Sequence, residues 1–118
     1  GTVGDNPVFT LKQATDNAGT DAKALNFTTA YTKIGTQTGI SFFTKATQSS
    51  GNTYTPTSAA SQAIIAVEID WGDLDGTNGF NHIQLSIPDT GSNAQLGAGL
   101  YLLLDPRHQG TTVPDPIS

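Results

Sequence analysis

Residues Gln62 to Asp70 read QAIIAVEID, with Ile65, Val67 and Ile69 on one side of a two-residue period and Ile64 and Ala66 on the other. Such alternation, with β-branched residues at most of the apolar positions, is the pattern of a strand and not of a helix. Apolar side chains on both sides place this strand in the middle of a sheet. The Gly- and Asp-rich stretch Trp71 to Gly79, WGDLDGTNG, then interrupts as a loop. Alternation resumes over Phe80 to Ile87, FNHIQLSI, where Ile83, Leu85 and Ile87 face inward and His82, Gln84 and Ser86 outward. Pro88 ends that strand because proline cannot donate to a ladder.

Downstream, a turn over Asp89 to Asn93 leads into a last strand, Leu96 to Leu104, with Leu96, Ala98, Leu100, Leu102 and Leu104 on one face and Tyr101 and Leu103 on the other. Upstream, Val8 to Thr15 places Phe9, Leu11 and Gln13 on one face, and Asp16 to Gly19 is a turn. Ala24 to Ile34 has the alternation of one long half-buried strand, with Leu25, Phe27, Thr29 and Tyr31 opposed to Asn26, Thr28, Ala30 and Thr32. Gly35 to Gly39 breaks the pattern and Ile40 to Thr47 resumes it. The polar run Gln48 to Asn52 is expected to be a loop, Thr53 to Thr55 a short edge strand ending at Pro56, and Thr57 to Ser61 a single helical turn.

Composition points the same way. Nine of the ten acidic residues are Asp and one, Glu68, is Glu; Asp favours turns and caps where Glu favours helix interiors. Thr occurs eighteen times, and its branched side chain suits a pleated surface. With 118 residues the chain suits one domain, since a domain usually takes about 100 to 200. The expected fold is all-β, an antiparallel β-sandwich of jelly-roll type, with a barrel as the alternative. The sandwich spans 8–105, flanked by an extended N-terminal arm over 1–7 and a Pro-containing C-terminal arm over 106–118.

The same numbers exclude several functions. A net charge of −5 repels phosphate backbones, so nucleic acid is not an expected partner. The longest apolar run, Leu100 to Leu104, is far short of the roughly 18 residues of a membrane helix, so no membrane partner is expected either. Without cysteine there is no disulfide framework, thiolate nucleophile or cysteine-ligated zinc. The chain also opens without methionine, which suggests that residues upstream were removed or are missing.

For chemistry, the carboxylates of Asp70, Asp73 and Asp75 among glycines suggest oxygen ligands for a hard cation, Asp73 and Asp75 being the candidates. An EF-hand does not fit, because Asn78 stands where the loop needs Gly and Gln84 where it needs Glu. An Asp-capped turn explains the same residues and is preferred, so no metal and no cofactor are called for. Glu68 and Asp70, two apart on a strand, share a face as a glycosidase pair would, yet an exposed strand carboxylate is ordinarily only solvated. His82 belongs on an outer face and His108 in the tail, and no Gly-x-Ser-x-Gly string accompanies them. Trp71, Tyr54, Tyr101 and Tyr31 would make a sugar-stacking platform if they converged, although burial is the commoner fate of large aromatics. None of this predicts an enzyme.

Three strings, FTLKQATDNAGTDAKALNFT from Phe9, TKATQSSGNTYT from Thr44 and VEIDWGDLDGTNGFNHIQLSIPDTGSNAQLGAGLYLLLDPR from Val67, resemble a family of small structural proteins of tailed bacteriophages. The likeness covers most of the chain between residues 8 and 107 and carries no catalytic motif. It implies a virion protein on the capsid surface, a decoration or cement protein that stabilises the shell by bridging subunits of the major capsid protein and associates with itself as a homodimer or homotrimer. Members of the family carry additional sequence before the Phe9 segment, in keeping with the missing methionine. The expected interface residues are Pro106, Arg107, Val113, Pro114 and Ile117 in the C-terminal arm, together with Trp71. The alternative is a carbohydrate-binding or host-attachment module of a virion, centred on Trp71 and the Asp-Gly loop.

Overall fold

The computed structural model describes residues 6–34, 42–56, 63–92 and 97–104. Among them are seven strands: β1 (Phe9–Ala14), β2 (Lys23–Ala24), β3 (Phe27–Ile34), β4 (Thr44–Gly51), β5 (Thr53–Tyr54), β6 (Ala63–Ala66) and β7 (His82–Ser86). They form two antiparallel sheets around a common core, so the chain is all-β.

In the first sheet β1 is central. It pairs with β7 from Thr10 opposite Ser86 to Ala14 opposite His82. Its other edge is divided between β2, opposite Lys12 and Gln13, and β5, opposite Phe9 and Thr10. Leu11 marks the junction: its N–H donates to the Asn52 carbonyl at 2.8 Å, and its carbonyl accepts from the Leu25 N–H at 3.2 Å and the Asn52 side-chain amide at 3.1 Å. In the second sheet β3 is central, between β4 and β6.

Leu11 from the first sheet, Phe27 and Ala30 from the second, and Leu25 where the chain crosses between them form the buried core. Tyr54, Ile65, Val67, Ile69, Leu74, Ile83 and Leu85 pack against it. Ile83 and Leu85 of β7 thus face inward as expected, with His82 and Gln84 exposed on the far side, while Leu11 and Gln13 are buried on one face of β1 and Ile65, Val67 and Ile69 pack against the core.

Several expectations are corrected. The long strand Ala24 to Ile34 is two strands, because Leu25 and Asn26 carry the chain from one sheet to the other. Within β3 the pairing register with β4 shifts between Phe27 and Thr29. An irregularity of this kind changes which parity faces inward: Phe27 is buried, but beyond it Ala30 and Thr32 are buried and not Thr29 and Tyr31. The polar run Gln48 to Gly51 continues β4 and does not form a loop; Gly51 pairs with Phe27 of β3, and the Gln48 amide donates to the carbonyls of Phe27 and Gly51 at 3.2 and 3.4 Å. The Gln62 to Asp70 strand shortens to Ala63–Ala66 and lies at the edge of its sheet, with Ile64 61% exposed.

The Leu96 to Leu104 strand is also absent: residues 97–104 join neither sheet. The segment touches β7 without pairing to it. The Leu85 N–H donates to the Tyr101 hydroxyl at 3.0 Å, and Gly99 approaches so closely that a Cβ there would stand 2.9 Å from Leu85 Cδ2. The breaker at 35–39, the helical turn at 57–61 and most of the two arms, residues 1–5 and 106–118, lie outside the described residues.

Candidate functional site

The Asp70 to Phe80 loop folds as two short 3-10 turns, Trp71–Asp73 and Gly76–Asn78. Asp70 caps the first turn, accepting the Gly72 N–H at 3.3 Å, while the Asp73 carboxylate accepts the Asp70 N–H at 2.9 Å, a reciprocal capping box. Asp75 begins the second turn; its two carboxylate oxygens each accept from the Asn78 amide at 2.9 Å. Gly79 closes the turn at φ +82°, the left-handed conformation that glycine adopts without a Cβ penalty.

This loop is tied to the first sheet by two neighbouring side chains. Gln13 and Lys23 are direct cross-strand partners on β1 and β2 and so project from the same face. The buried Gln13 amide accepts the Asp75 N–H at 2.7 Å and donates to the Ala24 carbonyl at 3.2 Å. Lys23 forms an ion pair with the Asp75 carboxylate, and its ammonium lies 3.8 Å from the centroid of the Phe80 ring. Lys23, and then Asn78, hold the Asp75 carboxyl below the ordinary aspartate value.

The cation candidates are thus accounted for by the fold. Asp70 and Asp73 make the Asp-capped turn, Asp73 accepting a backbone N–H, while Asp75 directs its oxygens to the Asn78 amide and the Lys23 ammonium without capping its own turn. Among the described residues no group of three His, Asp or Glu side chains gathers at a metal-ligating spacing. Glu68 and Asp70 are both exposed, and Asp70 is engaged in its cap.

A second polar knot lies at the Asp16 to Thr20 turn. One Asp16 oxygen accepts the N–H groups of Ala18 and Thr20 at 3.0 and 2.9 Å, and the other accepts the Thr20 hydroxyl at 2.6 Å. The Thr20 hydroxyl, followed by its N–H, lowers the Asp16 carboxyl below the ordinary value. Between this turn, His82 and Gln84 of β7, and Tyr101 lies a shallow cleft of about 280 Å³. Asp16 lines it with oxygens already bonded within the turn, and His82 lines it as well.

The four aromatics of the sugar-platform reading sit on four different elements. Tyr54 belongs to β5 and packs on the core, Tyr31 is half-buried in β3, Tyr101 lies beside β7, and Trp71 opens the first 3-10 turn. Trp71 is 54% exposed, and a Cβ at Gly76 would stand 3.5 Å from its ring. The other interface candidates, Pro106, Arg107, Val113, Pro114 and Ile117, lie outside the described residues.

Two apolar surfaces emerge that the pattern reading assigned to strand interiors. The first is Leu100 to Leu104 beside the first sheet, whose exposures run from 56% at Tyr101 to 96% at Leu103. The second is at one end of the second sheet. There Lys33 pairs with Ile64, and extending the β3–β4 register by one residue brings Phe43 to the other side of Lys33. Phe42, Phe43 and Ile64 are all exposed. Runs of aliphatic residues signal burial, but sequence does not say whether a chain's own core or another surface covers them.

Compared with protein-family models, curated proteins and solved structures, the chain matches none of them.

Proposed function

We propose that the protein is a non-enzymatic structural component of a virion, a decoration or cement protein that seats on the capsid surface of a tailed bacteriophage and bridges major capsid protein subunits. The observation that carries this reading is the pair of exposed apolar surfaces in different parts of the fold, Leu100 to Leu104 beside the first sheet and Phe42, Phe43 and Ile64 at one end of the second. A protein that bridges needs more than one contact face, and apolar patches beyond a few hundred Å² on a small domain mark surfaces that associate. Two weak contacts on one body then hold a lattice more tightly than either alone. The polar chemistry agrees: the loop carboxylates most able to act on a ligand serve as caps and ties within the fold. The strings at Phe9, Thr44 and Val67 supply the virion context.

The test uses shells lacking the protein, heated or osmotically shocked with and without the purified chain. Added protein should co-sediment with the shells and raise the temperature at which they burst, and Phe43→Glu should abolish both effects. Shells that neither bind the chain nor gain stability reject the reading.

The exposure of Trp71 favours a second reading, a carbohydrate-binding or host-attachment module in which the indole stacks on a sugar. Glycan-array binding lost on Trp71→Ala would select it over capsid bridging.

A further inference from the structure

We infer that Leu100 to Leu104 is the contact between two copies of this chain, paired as antiparallel strands about a two-fold axis at Leu102. The inference rests on the structural-protein reading above and names the partner of one of its two faces.

The run is exposed at every position: 82% at Leu100, 56% at Tyr101, 73% at Leu102, 96% at Leu103 and 80% at Leu104. Five exposed apolar residues in succession make a contiguous patch, where the surface of a monomer ordinarily scatters such residues singly. The backbone is available as well, because 97–104 joins no strand among the described residues. A segment whose apolar side chains are exposed and whose backbone joins no strand among the described residues suits a strand partner of the same kind.

A second copy of the segment has the required chemistry. Antiparallel pairing centred on Leu102 sets Leu100 against Leu104 of the other copy, Tyr101 against Leu103, and Leu102 against itself. Every cross-strand pair is then apolar, and GAGLYLLL over 97–104 contains no charge. That neutrality matters because each chain carries −5, and a contact through any acidic stretch would set like charges together.

The neighbouring sheet edge supports the same geometry. Leu11 directs its N–H and carbonyl toward β2 and β5, so Leu85 opposite it forms a non-hydrogen-bonded pair and turns its own N–H outward from β7. Tyr101 takes that N–H through its hydroxyl, and Gly99 rests on Leu85. These two contacts moor the segment against β7 and leave its leucines facing away from the body.

The experiment uses the full chain, which has no cysteine of its own. Sedimentation equilibrium at micromolar concentration should give twice the chain mass. Leu102→Glu, which sets two carboxylates face to face at the axis, should return the mass to one chain with an unchanged circular-dichroism spectrum, since Leu102 lies outside the core. Under mild oxidation the Leu102→Cys variant should cross-link to a covalent dimer. Leu100→Cys alone should not, because its equivalents lie about 13 Å apart at 3.3 Å per residue, whereas a mixture of the Leu100→Cys and Leu104→Cys variants should. A single-chain mass at every concentration, or equal cross-linking at all positions from 100 to 104, overturns the pairing. Shell binding is read separately: a monomer that still stabilises shells rejects this pairing alone, and a dimer that ignores shells rejects the capsid reading alone.

Discussion

Asp75 joins three parts of the chain that are far apart in sequence. Its carboxylate holds Lys23 of β2 and Asn78 of its own loop, and its N–H is taken by Gln13 of β1. Lys23 and Asn78 favour the charged carboxylate, so its folded-state pKa lies below the ordinary 3.8; Asp16 is lowered likewise by Thr20. A carboxyl whose pKa falls on folding contributes stability that is fully present above its unfolded value and is lost as pH falls through its folded one. The urea midpoint should therefore decline as pH drops below about 4. Asp75→Asn should lower the midpoint at neutral pH and flatten the acid decline, so that the two curves converge at low pH. Curves that stay parallel down to pH 2 would remove Asp75 from the acid response. The spacing of Asp70, Asp73 and Asp75 among glycines was enough to expect an Asp-capped turn, because caps are local. Lys23 and Gln13 were not legible as partners, since nothing in a local pattern marks a contact across more than fifty residues.

Among the elements, the turn after β1 depends on backbone conformation as well as on Asp16. Gly19 has φ +84°, and a Cβ there would meet the Gln84 amide nitrogen at 3.1 Å. Gly19→Ala should cost about 1–2 kcal/mol, the penalty of a left-handed backbone for an L-residue, with the exposed Gln84 side chain swinging aside. Gly72, which has no positive φ and nothing within 4 Å of a Cβ, is the matched control. Equal losses for the two alanine variants in chemical denaturation would refute the backbone explanation. The same contrast of local and distant causes explains which strands were legible. Those of β1 and β7 were, because their alternation coincides with a face on the core. The polar end of β4 was not: it is held by the pairing of Gly51 with Phe27 and by the Gln48 amide on the Phe27 carbonyl, neither of which an apolar alternation marks.

At the scale of the molecule, Leu25 sits fully buried where the chain passes from one sheet to the other. Removing it opens space that both sheets line, and neither can close it without moving from the other. Leu25→Ala should cost about 2–5 kcal/mol, the usual range for a buried leucine, out of a total that for a domain is about 5–15. Urea unfolding followed by circular dichroism measures it, and a loss under 1 kcal/mol would mean that the sheets do not share this core. The same side chain shows the limit of patterning, since alternation placed Leu25 inside a continuous strand while the structure places it between two.

The sequence by itself determined that the chain is all-β, where its sharpest turns fall, which residues of β1 share a face, and which residues of β7 face inward. These follow from side-chain period and turn chemistry, which act over a few residues. Only the tertiary structure decided that Leu25 crosses between sheets, that the strand after Gln62 is an edge, that β3 changes its inward parity at Thr29, and that the leucines from 100 to 104 face outward. Each depends on which backbone lies alongside which, and hydrophobicity reports a demand for burial without naming the surface that meets it.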